Sequence, residues 1–141
     1  MPKATLTINI SDDDKDIGHS WVTLENEYFY DKWRPDYDKI RKQTIGFYPQ
    51  GALDDSMLTP DSSKMFNINK QQAEKIDEIM NKNEGYNLFY NNCVDRVESI
   101  LDEAKIEHPS FDTLFVSDPG KVKEWLDDYW NYKWNTINEK K

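Results

Sequence analysis

Apolar and polar residues alternate from the start of the chain: Leu6, Ile8 and Ile10 interleave with Thr5, Thr7 and Asn9. This period of two predicts a strand with one buried face. SDDDKD follows as a polar turn. HSWVTL and EYFYDKW are two further β-rich runs on either side of Glu25-Asn26 and predict a hairpin. Arg34-Pro35 interrupts the pattern, and PDYDKIRKQ predicts a short polar helix or an inserted loop. TIGFYPQG reads as an aromatic strand closed by Pro49 and Gly51, ALDDSMLTPDSSK as a loop and KMFNI as a short strand.

Beyond Asn69 the period changes from that of a strand to that of a helix. Asn69 can cap a helix whose Ala73, Ile76, Ile79 and Met80 form one apolar stripe, with Gly85 as its stop. A second helix follows Asn92 and turns Val94, Val97, Ile100, Leu101 and Ala104 inward. Asp118-Pro119 opens a third in the order cap then proline, lined by Val122, Trp125, Leu126, Tyr129 and Trp130. Strands come first and helices after, without repeats or a linker. The expected fold is therefore α+β, a single domain over residues 1–141 in one pair of layers.

Composition narrows the function. The chain has 141 residues, enough for one core without metal or disulfide support. Only 37% of residues are hydrophobic but 13% are aromatic, so the expected core is small and rich in rings. The single cysteine excludes an internal disulfide or a multi-cysteine zinc site, and no apolar run is long enough to span a membrane. The alternating start lacks the apolar block of a signal peptide, which leads to the expectation of cytosolic synthesis, with any export left to a dedicated apparatus. A net charge of -9 opposes nucleic acid and anionic membrane surfaces as partners. Asp12, Asp14 and Asp16 have the spacing that opens a calcium loop. Gly18 falls one place late, however, and Thr23 stands where the bidentate Glu belongs, so no metal or other cofactor is expected.

Two residues carry candidate chemistry. In YNLFYNNCVDRVESIL, a cap at Asn91 or Asn92 puts Cys93 in the first helical turn, where free N–H groups and the positive helix end favour a thiolate of lowered pKa. The competing reading is a small buried residue sharing a face with Val97. His19 follows Gly18 at the first residue of a strand, where its ring can face a helix-borne cysteine as a base. His108, before Pro109, reads as an exposed loop residue without a chemical role.

GHSWVTL, GFYPQG, KMFNINKQQ and YNLFYNNCVDRVESILDEAKIEHP together resemble the circularly permuted branch of the NlpC-type papain-like hydrolases, to which the lecithin retinol acyltransferase relatives also belong. The resemblance covers roughly residues 18 to 116 and rests on short motifs, chiefly GHSWV and NNCVD. It implies a papain-like fold with the histidine strand before the cysteine helix, about four or five antiparallel strands and about three helices. By the same resemblance His19 is the base, Cys93 the nucleophile and the Cys93 N–H one oxyanion donor. The family's third polar residue lies on a strand after the histidine. Tyr48 or Gln50 would fill that place if TIGFYPQ is the partner strand, and Asp31 or Lys32 if EYFYDKW is.

The implied activity is thiol-dependent acyl transfer on a peptide or amide. The resemblance implies three uses: cutting cell-wall peptides, removing peptide conjugates, or moving lipid acyl chains. The first is favoured, as a peptidoglycan amidase or endopeptidase acting as a secreted antibacterial effector with a cognate immunity protein. A reading of another class is a non-catalytic acidic interaction or immunity-type protein.

Overall fold

In the computed structural model, the residues described are 3–11, 18–28, 42–49, 51–81, 92–111 and 118–139. Strands β1 (Ala4–Ser11), β2 (His19–Asn26), β3 (Lys42–Tyr48), β4 (Gly51–Asp54) and β5 (Ser62–Ile68) form one antiparallel sheet in the order β4-β3-β2-β1-β5. The alternation at the start of the chain places β1 at its hydrophobic centre. Leu6 pairs with Leu24 and Phe66, and Ile8 pairs with Val22 and Lys64. Cross-strand partners point to the same face, so these apolar side chains gather on one side. Leu6, Ile8 and Ile10 are fully buried there, each contributing roughly 1.5–3 kcal/mol relative to exposure.

Helices α1 (Lys70–Met80), α2 (Cys93–Glu103), α3 (Pro119–Asp127) and α4 (Tyr129–Glu139) follow. The described architecture is α+β, a five-stranded antiparallel sheet with four helices among the described residues. The 3.6-residue stripes find the same core: Ala73, Ile76 and Met80 of α1, Val94, Val97, Ile100 and Leu101 of α2, and Val122 and Trp125 of α3 join the apolar face of the sheet. Asn69 caps α1 by accepting from the Gln72 N–H, while the Gln72 side chain accepts from the Asn69 N–H. Gln43 of β3 donates to Asp77 of α1 at 2.6 Å, a buried polar tie between the layers.

Three expectations from the sequence are corrected. Glu25-Asn26 is no hairpin turn, because β1 and β3 hold it in the ladder: Asn26 pairs with Ala4, and Glu25 with Thr5 and Lys42. The strand ends there, where the Asn26 side chain accepts from the Tyr28 N–H. EYFYDKW beyond Tyr28, Arg34-Pro35 and PDYDKIRKQ up to Arg41 lie outside the described residues, as does Gly85. Second, ALD of the expected loop is edge strand β4. Gly51, at a φ of 112° that only glycine adopts without strain, pairs back onto Tyr48 and makes the reversal possible. Third, the final helix is two. Asp128 leaves helical geometry at φ -117° and ψ 29°, and its carboxylate accepts from Asn131 to begin α4. Tyr129 still packs on the core, but Trp130 turns away and is 76% exposed.

This partition of core and surface predicts mutant stability. Ile100→Ala should lower the unfolding free energy by about 2–5 kcal/mol, and Trp134→Ala, on the outer face of α4, by less than about 0.5 kcal/mol. Denaturant unfolding measures both, and comparable losses would contradict the break at Asp128.

Candidate active site

Cys93 owes its position to a buried asparagine. Asn92 is extended at φ -103° and ψ -173°, and its Oδ1 accepts from the N–H groups of Val94 (2.9 Å) and Asp95 (3.0 Å). Asp95 Oδ2 in return accepts from the Asn92 N–H at 2.8 Å. This reciprocal cap starts α2 at Cys93. The N–H groups of Ser20, Val94 and Cys93 itself act on the sulfur and favour a thiolate, but burial is the larger influence and, with the Asp95 carboxylate, pushes the thiol pKa up. The lowered thiol pKa expected from the helix start is thus reversed in the resting protein, where only 7% of Cys93 is exposed.

His19 opens β2 and meets a carboxylate. Its Nε2 lies 2.8 Å from Oδ2 of Asp55, a residue just past β4 whose own N–H donates to Thr44 O of β3 at 2.9 Å. The Tyr48 hydroxyl donates to the other oxygen, Oδ1, at 2.5 Å. Burial and this hydrogen bond drive the Tyr48 pKa well above its ordinary value, so the phenol stays a donor. The imidazole is held from both sides, with Trp21 stacked at 5.4 Å and Tyr48 at 4.7 Å between ring centroids. Asp55 has only acceptor oxygens when ionised, so Nε2 carries the hydrogen and the lone pair of the neutral ring is on Nδ1.

By the alternation of β2, His19 shares the face of Trp21, whereas Ser20 shares that of Val22 and of the core cluster that includes Cys93. The β2–β3 ladder ends at the pair Trp21 and Gly46, although β2 continues back to His19 and β3 on to Tyr48. In this opening the N–H of Ser20, next to His19, faces the Cys93 sulfur. Tyr48 is close enough for a charge on Cys93 to raise its pKa further. Among the described residues no hydrogen bond joins His19 to Cys93; Tyr48 packs on the His19 ring, and the Ser20 N–H acts on the Cys93 sulfur.

Of the sequence candidates for the third residue, Tyr48 is in the site but orients the carboxylate instead of bonding the imidazole. Gln50, Asp31 and Lys32 lie outside the described residues, as do Asp12, Asp14 and Asp16. Asp55 was missed. Its segment reads as polar loop, and its neighbour Asp54 is an exposed turn former that accepts from the Ser56 N–H. Only the pairing of β4 distinguishes the two aspartates. His108 is not the exposed residue expected. Its side chain is 11% exposed, stacks on Phe111 and lies 2.8 Å from Asp102 near the far end of α2, about 14 Å along the helix from Cys93.

Nearby, a groove of about 300 Å³ runs along Lys42, Gln43, Thr44, Ile45, Asp54 and Ser56, beside Asp55. A larger one of about 550 Å³ on α1 is lined by Gln71, Glu74, Lys75, Asp77 and Glu78 and contains neither Cys93 nor His19.

The raised thiol makes two measurements informative. Alkylation of Cys93 near pH 7 should be slower than that of a cysteine in the unfolded chain and should rise on the alkaline side; faster labelling than in the unfolded chain would contradict the burial. A thiol whose folded pKa lies above its unfolded value adds stability below the unfolded value, and that stability is lost as pH rises through the folded one. Relative to wild type, Cys93→Ser should therefore show a shallower fall in stability above about pH 8.5, the ordinary thiol value. Compared with protein-family models, with curated proteins and with solved structures, the chain matches none.

Proposed function

We propose that the chain is a cysteine-dependent amide hydrolase built on a circularly permuted papain-like fold, with Cys93 as nucleophile, His19 as general base and Asp55 as the residue that orients the base. The observation that carries the reading is the Tyr48–Asp55–His19 chain of hydrogen bonds at the strand end where the Ser20 N–H faces the Cys93 sulfur. A carboxylate on Nε2 fixes the tautomer and stabilises the imidazolium that forms when Nδ1 takes a proton. Because burial keeps the thiol protonated at rest, deprotonation accompanies attack.

In the reaction, Nδ1 of His19 accepts the Cys93 proton as the sulfur bonds to the substrate carbonyl carbon. The Cys93 N–H is one donor to the resulting oxyanion. Collapse breaks the C–N bond, His19 returns the proton to the leaving amine, and water activated by the same imidazole releases the acyl group from sulfur. A thiolate formed in a desolvated site is a strong nucleophile, so the burial that opposes ionisation at rest also favours attack.

The substrate class follows the sequence resemblance: a peptide amide, with bacterial cell-wall peptides first and a role as a secreted antibacterial effector checked by an immunity protein. One observation favours a second reading, hydrolysis or transfer of a lipid acyl chain. Leu53, Met57 and Leu58 surround Asp55 in sequence and are 43%, 95% and 44% exposed, a group of apolar side chains suited to an acyl chain.

Purified protein should release new amino termini from cell-wall fragments. Cys93→Ala and His19→Ala should each abolish release while circular dichroism stays unchanged, with losses far from additive in the double variant. Asp55→Asn should lower kcat by about 10² to 10⁴. Release that survives Cys93→Ala would sink the nucleophile. Turnover of phospholipid or of a conjugated peptide, with wall fragments untouched, would keep the chemistry and replace the substrate. Inactivity on all three together with tight binding to a protein partner would make the chain an interaction module.

A further inference from the structure

Gly46 lies inside β3, where a glycine weakens a strand and calls for a reason. Its backbone does not supply one. The glycines with positive φ among the described residues are Gly18 and Gly51, and Gly46 is a ladder residue paired with Trp21 on one side and Leu53 on the other. Space does supply one. A Cβ at Gly46 would stand 1.8 Å from Asp55 Oδ2, 2.8 Å from Asp55 Cγ and 2.8 Å from His19 Nε2.

We propose that Gly46 is a positioning residue whose missing side chain makes the seat of the His19–Asp55 pair. The topology explains the need. Asp55 follows β4, His19 opens β2, and β3 runs between them. Adjacent strands are about 4.8 Å apart, so β4 and β2 are separated by about 10 Å, and the two side chains can bond only by meeting above the middle strand. Any Cβ there occupies the meeting point. The carboxylate has little room to yield, since Tyr48 holds its other oxygen and the Asp55 backbone is tied to Thr44 and Leu58. The catalytic consequence rests on the hydrolase reading; the positioning role does not.

The test is a cycle of Gly46→Ala, Asp55→Ala and the double variant. Two readouts serve: the imidazole Nε2–H proton signal of His19 in NMR, and the urea midpoint of unfolding. Gly46→Ala alone should erase the Nε2–H signal as completely as Asp55→Ala does and should lower the midpoint. In the Asp55→Ala background the same substitution should lower the midpoint by much less, because the 1.8 Å clash with the carboxylate is gone and the remaining 2.8 Å approach to His19 Nε2 is relieved by an imidazole that Asp55 no longer holds. A retained Nε2–H signal in Gly46→Ala, or an equal drop of midpoint in both backgrounds, overturns the proposal. Should Gly46→Ala fail to fold, folding of the double variant supports it, and failure of both overturns it. If hydrolysis is absent from the wild type while the cycle behaves as stated, the catalytic reading falls and the positioning role of Gly46 stands.

Discussion

The hydrogen bond between His19 and Asp55 spans a strand that contributes neither residue, and the local order of this end of the sheet depends on that span. It requires the reversal at Gly51 that brings β4 back along β3, so that the Asp55 N–H reaches Thr44. It requires a bare position at Gly46. It also requires Tyr48, whose hydroxyl satisfies the second oxygen of a carboxylate that is 5% exposed. A buried carboxylate with an oxygen unpaired would cost more than an ordinary hydrogen bond returns. The three devices sit within ten residues of one another, on one hairpin.

The cysteine illustrates how magnitudes decide between two sound local arguments. A helix start contributes roughly 0.3–1 kcal/mol toward an anion at low ionic strength, whereas full desolvation can move a pKa by as much as about 3–5 units in the other direction. At Cys93 the second effect prevails, even with three N–H groups acting on the sulfur. The capping asparagine that places the thiol is itself 3% exposed, so the same packing that fixes the sulfur also withholds water from it. His19, bonded to Asp55, lies one residue from the Ser20 N–H that acts on this sulfur.

Buried polar contacts hold the frame around this site. Gln43 and Asn81 both donate to Asp77, linking β3 to the end of α1. Arg96 lies over the Phe47 ring at 4.1 Å and donates to the Ile79 carbonyl, so α2 is tied to β3 and to α1 by one guanidinium. These contacts fix the cysteine helix against the strand that bears Gly46 and Tyr48. The buried core among the described residues is mainly aliphatic, not ring-rich as expected, with Phe47, Phe111 and Trp125 as its rings, and these polar contacts give it a defined orientation that apolar packing alone leaves loose.

The sequence by itself determined the elements whose signals are local. Alternation set β1, side-chain caps set the starts of α1 and α2, and Asp118-Pro119 set the start of α3, because strand faces and helix caps depend on residues a few positions apart. It also singled out His19 and Cys93, since a histidine at a strand start and a cysteine behind a cap are visible in single motifs. Tertiary structure alone decided the rest. Glu25-Asn26 stayed in the ladder because strands on both sides hold it, and Trp130 left the core because Asp128 ended a helix whose apolar stripe continued past it. Asp55 became the partner of His19, 36 residues away, through the pairing of β4 with β3. No local pattern encodes that choice: Asp54 and Asp55 are the same residue type, and only the pleat and the empty place above Gly46 give one of them the imidazole and leave the other in water.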